Sequence, residues 1–497
     1  MIKDTIAAIA SGITSSGVGV IRISGPDSFA VADRIFFPHQ GDGNVLKYKP
    51  YTMHYGYVCD VEKNSSGINP KRNITDNDYP ETDKNVSEDG KILPDKKSII
   101  DEVVLLVFKG PKSFTGEDVI EIDCHGGIFV MNKILDIVLK NGARLAEPGE
   151  FTKRAFLNGR LDLSQAESVM DVISSSSDLS LKSSLAQLNG RISECIKSLR
   201  DKILHETAFI EAALDDPEHY SLDDYMPKLK NIVSDLIKKT DDLINSYDHG
   251  RAISDGINTV IVGKPNAGKS SLLNFLAGYD RAIVTDIAGT TRDTLTEKIN
   301  ISGITLNITD TAGIRETDDV IEKIGVDKAY DSIELSDLIL YVCDGSKPLS
   351  EEDSEIFNVI DEKIKKGNVI CLVNKNDIDV VADIKMLEEK FKDRFIMFSS
   401  KTGDGYETLK DMIYNIFSID EIKINEEIMI SKLRHVELLK SAKEKLEFVM
   451  DGIDNMITED FLTGDLMAAY ADLGKITGEA VEEDLVDKIF KDFCMGK

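Results

Sequence analysis

No run of eighteen or more apolar residues occurs in these 497 residues, so no segment reads as a membrane-spanning helix. The opening MIKDTIAAIASG lacks a basic segment followed by a long apolar core, which argues against a secretory leader and predicts a cytoplasmic protein. Cysteine is sparse and scattered. Cys59, Cys124, Cys195, Cys343, Cys371 and Cys494 show no C-x-x-C spacing, which argues against a disulfide framework or a zinc site and leaves most of them as small buried hydrophobes. Basic charge is in deficit, with 59 Lys and Arg against 88 Asp and Glu. The resulting net charge of -29 disfavours non-specific adhesion to nucleic acid, so an RNA substrate would need a local basic patch or a partner protein to present it. No internal repeat of fixed period is apparent.

A hydrophobic content of 42% is enough for real cores, and the length predicts about three domains. The stretch Gly263 to Ser270, GKPNAGKS, fits G-x-x-x-x-G-K-[ST]. It follows the apolar run Thr259 to Val262 and precedes a helical pattern from Ser271. In that context Asn266, Ala267, Gly268, Lys269, Ser270 and Ser271 turn backbone N–H groups and a helix start toward a polyphosphate. Lys269 adds a point charge at the outer phosphates, and the Ser270 hydroxyl can ligate Mg²⁺.

Downstream, Asp310, Thr311, Ala312 and Gly313 follow a strand-like run, which places a carboxylate near Mg²⁺ and a Gly amide near the terminal phosphate. Asn374, Lys375 and Asp377 follow the buried run Val369 to Val373. Asp377 can accept hydrogen bonds from the ring N–H and the exocyclic amine of guanine; adenine lacks donors at those positions, so GTP is the expected nucleotide. Ser399, Ser400 and Lys401 are placed to cap the base from the other side.

The expected fold class combines α/β with all-α structure. Residues 1–158 form an α+β module, with strands near Thr5 to Ala10, Val18 to Ile23, His54 to Asp60, Val103 to Phe108 and Val119 to Ile122, and a helix from Ile128 to Lys140. The polar stretch from Val61 to Lys97 reads as a surface loop. Residues 159–255 and 419–497 are helical, flanking a GTPase domain with a doubly wound sheet at 256–418. Leu181, Leu185, Leu188, Ile192, Ile196, Leu199 and Ile203 predict one apolar seam along a single helix. One bundle made from both flanks, with the GTPase inserted into it, is the economical arrangement.

Beyond the nucleotide motifs the chain carries Gly19 to Gly25 (GVIRISG), Ser113 to Asp118 (SFTGED), Cys124 to Gly127 (CHGG), Pro148 to Thr152 (PGEFT), Arg154 to Asn158 (RAFLN), Leu161 to Leu163, Gln165 to Glu167, Gly289 to Asp293 (GTTRD) and the terminal Phe493 to Lys497 (FCMGK). In this set it resembles the MnmE (TrmE) family of tRNA modification GTPases. The resemblance implies a homodimer built through the N-terminal modules, which bind a tetrahydrofolate derivative (5-formyl or 5,10-methylene) as one-carbon donor. It also implies an FAD-dependent partner, MnmG (GidA), joined in a heterotetramer, with tRNA as substrate and no membrane. Together they would form a C5 aminomethyl or carboxymethylaminomethyl group on the wobble uridine of certain tRNAs. The implied folate contacts fall on Arg22, Glu121, Arg160 and Lys497. A pterin suits a carboxylate, and the folate carboxylates suit arginine. Cys494 matches a family cysteine, either a reactive thiol or a packing residue.

The residue after Asp-x-x-Gly is Ile314, where many switch GTPases carry a water-orienting Gln. The resemblance supplies a substitute, a K⁺ ion held by Asn266, Thr285, Ile287 and Thr290 in a loop that also includes Asp286, Ala288 and Gly289. A fixed cation there neutralises charge developing on the phosphates. By the same resemblance Thr291 joins Ser270 at Mg²⁺ and Glu322 orients the water. Dimerisation of two GTPase modules would couple hydrolysis to movement of the bundle. The alternative reading is a ribosome-assembly GTPase switch, although such proteins usually carry a basic RNA-binding domain and this C-terminal third is acidic.

Overall fold

The computed structural model describes residues 4–40, 44–60, 98–216, 219, 225–279, 296–309, 332–417, 428–479, 483–491, 493, 494 and 496. They fall into two compact units, residues 1–167 with 481–497, and residues 168–480. The 61–97 stretch lies outside the described residues.

The first unit is built on a seven-stranded sheet. In chain order its strands are β1 (Ile6–Ile9), β2 (Val18–Ser24), β3 (Phe36–Pro38), β4 (Thr52–Cys59), β5 (Ile99–Phe108), β6 (Val119–His125) and β7 (Arg144–Leu145), arranged β3-β4-β5-β6-β2-β1-β7. All pairs are antiparallel except β1 with β7. Helices α1 (Ser28–Ile35) and α2 (Ile128–Lys140) contribute Val31, Ile35, Met131, Ile134 and Val138 to a core shared with Ile21, Ile23, Leu105 and Ile122. Because strand side chains alternate, Arg22 and Glu121 stand opposite one another in register and on the other face from those core residues.

Helix α3 (Glu150–Leu157) carries Arg154, whose side chain is fully buried. Its guanidinium donates to the Asp4 carbonyl at 2.9 Å, the Asp4 carboxylate at 2.9 Å, Glu150 Oε1 at 3.0 Å and Glu117 Oε2 at 3.2 Å. Arg144 pairs with the same Glu150 at 2.6 Å. Burial alone would raise the Glu150 and Asp4 carboxyls, but the hydrogen bonds from Arg144 and Arg154 and their charges hold both below the ordinary carboxylate range.

In the second unit, α4 (Leu163–Ser174), which begins in the first, leads to α5 (Asp178–Leu188), α6 (Arg191–Asp215), α7 (Met226–Asn245) and α8 (Tyr247–Ser254). The expected single helix through Leu181 and Ile203 is broken. Asn189 closes α5, and Gly190, at φ 89°, supplies the left-handed turn that starts α6. Leu181 and Leu185 are 38% and 41% exposed. The buried face of α5 is instead Leu179, Ser180, Ser184 and Gln187, because it is turned inward by hydrogen bonds from Ser180 to the Ser254 carbonyl and from Gln187 to Ser431. From Ile192 onward the seam is buried as read.

Strands β8 (Ile257–Val262), β9 (Thr296–Ile301), β10 (Ile304–Thr309), β11 (Leu338–Asp344), β12 (Val369–Asn374) and β13 (Phe395–Met397) form a sheet in the order β13-β12-β11-β8-β10-β9, parallel except for β9. Its central strands are apolar almost throughout because both faces are covered. Alternate residues divide between two cores: Ile261, Leu340 and Leu372 face one, Val260, Tyr341 and Cys371 the other. The first is closed by α9 (Lys269–Tyr279) and α12 (Tyr406–Ile416), and the second by α10 (Glu351–Lys366) and α11 (Ile384–Phe391). The strand order reverses between β8 and β11, the crevice in which an open α/β sheet binds its ligand.

Past the sheet run α13 (Leu433–Asp454) and α14 (Glu459–Thr477). Leu439, Leu446, Leu466 and Leu473 share one core with Ile196, Ile203, Leu229 and Leu236, so helices from either side of the sheet make a single bundle. Arg200 on α6 clasps Glu479 and lies 4.0 Å over the Tyr470 ring. The last helix, α15 (Glu483–Lys491), departs from the expected 419–497 grouping, since residues 481–497 belong with the first unit. Val486, Phe490 and Phe493 are buried there, and Lys153 of α3 pairs with Asp487. Gly149, at φ 68°, makes this approach possible, because a Cβ would sit 2.6 Å from the Phe490 carbonyl.

Replacing Arg154 by Met leaves three carboxylates without their shared cation, and it is expected to destabilise the first unit by about 3–5 kcal/mol. Urea unfolding followed by circular dichroism measures this. Asp4 and Glu150 have depressed folded pKa values, so the stabilisation they contribute is complete above about pH 5 and is lost as pH falls through those values. The variant is expected to show a flatter acid limb.

Candidate functional site

The phosphate loop leaves β8 at Gly263, whose φ of 152° and approach to the Val342 carbonyl, 2.3 Å from any added Cβ, exclude a side chain. The loop ends at α9, so Lys269, Ser270 and Ser271 occupy the first helical turn, where unpaired N–H groups favour an anion. Lys269 Nζ lies over the loop, donating to the carbonyls of Gly263 at 2.7 Å and Lys264 at 2.9 Å. Lys264 reaches outward to Asp353, 2.6 Å away and 1% exposed. Asp353 also accepts from the Tyr341 hydroxyl at 2.8 Å and, within the capping box of α10, from the Ser350 backbone at 2.8 Å. Burial pushes this carboxyl up, yet the Lys264 and Ser350 hydrogen bonds outweigh it and hold it low.

Asn374 closes β12 and is 2% exposed. Its Nδ2 donates to the Ala267 carbonyl at 3.0 Å, and its Oδ1 accepts from the Ser400 backbone N–H at 3.0 Å and hydroxyl at 2.9 Å. One amide thus joins the phosphate loop, the base loop and the segment after β13. Gly268 is required for it, because a Cβ there would lie 2.1 Å from Asn374 Nδ2. Lys375 Nζ donates to the Asn266 carbonyl at 3.1 Å and to Asp344 at 2.7 Å. Asp377 is exposed, with one carboxylate oxygen held by the Ser399 hydroxyl at 2.8 Å; Ser399 Oγ also accepts from Lys401 N–H at 3.3 Å.

The structure therefore brings Asn266, Ala267, Gly268, Lys269, Ser270, Ser271, Asn374, Lys375, Asp377, Ser399, Ser400 and Lys401 to one end of the sheet. Thr285 to Thr291, Asp310 to Gly313 and Glu322 lie outside the described residues, as does Lys497. Asp344, Asp353 and Lys264 were missed by sequence reasoning. Asp344 had a signal available, a carboxylate directly after the apolar run Leu338 to Cys343 and before Gly345-Ser346.

A second cluster lies on the opposite face of the first unit's sheet from its main core, beside Phe151 of α3. Arg22 Nε bonds Glu121 Oε1 at 2.7 Å, and its Nη1 donates to the Gly496 carbonyl at 3.4 Å. The guanidinium groups of Arg22 and Arg160 lie 5.2 and 5.1 Å from the Phe114 ring centroid, and Arg160 donates to the Phe114 carbonyl at 2.7 Å. Burial lowers the pKa of Arg160. Phe114 is the member the sequence left unassigned. Cys494 is half-buried and contributes its carbonyl to Gly149 N–H at 3.3 Å.

A doubly wound sheet with a phosphate loop at the strand-order reversal and an Asn-Lys-x-Asp loop beside it defines a GTP-binding P-loop protein. The model of the MnmE helical domain matches residues 163–494, and that of the GTP-binding protein TrmE N-terminus matches residues 5–160. The tRNA modification GTPase MnmE of Lachnoclostridium phytofermentans is 46% identical over 100% of both chains, and that of Thermoanaerobacter pseudethanolicus is 42% identical, again over 100% of both. The solved structure of Era from Aquifex aeolicus bound to GDP and aluminium fluoride is 28% identical and covers 38% of this chain and 66% of that one, at a TM-score of 0.27. The chain belongs to the MnmE family of tRNA modification GTPases.

Asp377→Asn presents an amide donor where guanine offers donors. GTP affinity is expected to fall by roughly 10²-fold or more, and xanthosine triphosphate, whose C2 carbonyl accepts, is expected to gain. Competition of GDP and XDP against a fluorescent GDP measures both.

Proposed function

We propose that this chain is a K⁺-dependent GTP hydrolase. As a homodimer loaded with a tetrahydrofolate one-carbon donor, and with an FAD-dependent MnmG (GidA) partner, it serves formation of the C5 aminomethyl or carboxymethylaminomethyl group on the wobble uridine of certain tRNAs. The observation that carries this reading is the end-to-end family match, which takes in the N-terminal and helical segments as well as the GTPase. A ribosome-assembly switch accounts for the nucleotide pocket but leaves those segments unexplained.

In the reaction, water adds to the γ-phosphorus of GTP and the bond to the β,γ-bridging oxygen breaks, giving GDP and phosphate. The start of α9 and Lys269 hold the phosphates, and Asp377 reads the base. Ser270 and Thr291 would hold the Mg²⁺, and Glu322 would orient the water. For K⁺, the fit is tested at Asn266. It stands at φ 63° with its carbonyl engaged by Lys375, and its exposed side-chain amide has no hydrogen bond among the described residues, so that oxygen remains to ligate a cation. Thr285, Ile287 and Thr290 would complete the set. A bound K⁺ supplies fixed positive charge beside the transferring phosphate.

For the folate derivative, the donor set fits in chemistry. Arg22 and Arg160 offer guanidinium groups for anionic carboxylates, Glu121 accepts from a pterin, the Phe114 ring offers a stacking face, and Lys497 adds a terminal cation.

GTP turnover by the full chain is expected to be roughly tenfold or more faster in KCl than in NaCl at saturating nucleotide. Equal rates would remove the K⁺ reading. Calorimetric titration with 5-formyltetrahydrofolate is expected to show binding that Arg160→Ala weakens about tenfold or more; an unchanged isotherm in the variant would remove Arg160 from that site.

A further inference from the structure

One buried carboxylate beside the nucleotide pocket takes no part in the steps above. Asp344 ends β11, a strand buried along its whole length, and is 4% exposed. Its Oδ1 accepts from the Ser346 hydroxyl at 2.6 Å and the Ser346 backbone N–H at 3.1 Å, which fixes the plane of the carboxylate. Oδ2 is left facing Lys375 Nζ at 2.7 Å. The other described cation near it, Lys347, is 3.9 Å away and 65% exposed, so solvent screens it.

Lys375 and Asn266 both hold left-handed backbone, at φ 67° and 63°, a conformation that side-chain-bearing residues leave readily unless something holds them. A single ammonium spans the two, since Lys375 Nζ also donates to the Asn266 carbonyl at 3.1 Å. A lysine is a flexible four-carbon stem, and on its own it would sample many rotamers. The buried, oriented carboxylate removes that freedom. Burial would raise the Asp344 carboxyl, but the Lys375 and Ser346 hydrogen bonds keep it ionised and below the ordinary range.

We propose that Asp344 is a positioning residue for guanine-nucleotide binding: by fixing Lys375 it locks the base-reading loop to Asn266 of the phosphate loop, so that both grip one nucleotide as a pre-formed unit. It acts through Lys375 without touching base or phosphate. Pre-organisation of this kind shows in the rate at which ligand leaves. The inference rests on the reading of this pocket as a guanine-nucleotide site.

The test uses the full chain as wild type, Asp344→Asn, Lys375→Met and the double variant, with release of mant-GDP followed by stopped-flow chase. Asp344→Asn is expected to speed release about 10- to 100-fold. The double variant is expected to release no faster than Lys375→Met alone, because the two act as one unit. Ser346→Ala frees Oδ1 without removing the charge, and it is expected to speed release by about three- to tenfold; it serves as the readout should Asp344→Asn fold poorly. Unaltered release in Asp344→Asn and in Ser346→Ala overturns the proposal. So do effects of Asp344→Asn and Lys375→Met that multiply in the double variant, the behaviour of a merely structural carboxylate. Failure of the wild-type chain to bind mant-GDP would instead remove the nucleotide reading itself.

Discussion

The hydrogen bond from Asn374 Nδ2 to the Ala267 carbonyl is the contact on which the nucleotide pocket depends. A phosphate loop and a base loop come from different strands, and each alone is a turn with exposed backbone. The Asn374 amide is buried, so its donor and acceptor must both be met inside the protein, and they are met by the two loops that must stay in register. The requirement for glycine at 268 follows from the same bond, since the space a side chain needs is filled by the amide nitrogen. The motif's spacing is therefore a packing constraint as well as a phosphate-binding one.

The sheet bearing this pocket is tied to the helices on two sides. Arg251 of α8 reaches Asp337 at 2.6 Å, and Asp337 in turn accepts from the Asn258 N–H at the start of β8. At the tip of the β9–β10 hairpin, Ser176 bonds Thr305 at 2.7 Å, Tyr414 bonds the Ser302 carbonyl at 2.5 Å, and Leu179 fills the space beside Gly303. The hairpin leads directly to the Asp310 stretch at one end and from the Thr285 to Thr291 stretch at the other. The hairpin is thereby fastened to the serine-rich turn before α5.

Much of this was legible in the chain. Helix α2 runs from Ile128 to Lys140 as its periodicity indicates, and the β8 pattern into GKPNAGKS gives strand, loop and helix in turn. What the pattern misjudged was where hydrogen bonding overrode apolarity. Leu181 and Leu185 continue a perfect seam, yet the serine and glutamine face of α5 is the buried one because its hydroxyls and amide find backbone and Ser431 partners. Likewise α15 carries a helical stripe suited to any bundle, and the bare surface at Gly149 with the Lys153–Asp487 pair lets Phe490 and Phe493 settle against α3. Asp344 and Asp353 were overlooked because acid in an acidic chain is a weak signal until burial singles it out.

Excess negative charge also explains how the few interior cations are used. Arg154 serves Asp4, Glu117 and Glu150, Lys264 serves Asp353, and Lys375 serves Asp344, so each of these carboxylates is neutralised by a cation that simultaneously holds a loop or a helix end. Arg22 and Arg160 differ, since much of what they face is an aromatic ring and backbone carbonyls. A guanidinium over a ring is weakly hydrated and keeps donors available, whereas both terminal nitrogens of Arg154 are taken up by carboxylates and the Asp4 carbonyl. In a chain of net charge -29, this cluster gathers two guanidinium groups around one ring, a local concentration of positive charge against the sign of the whole.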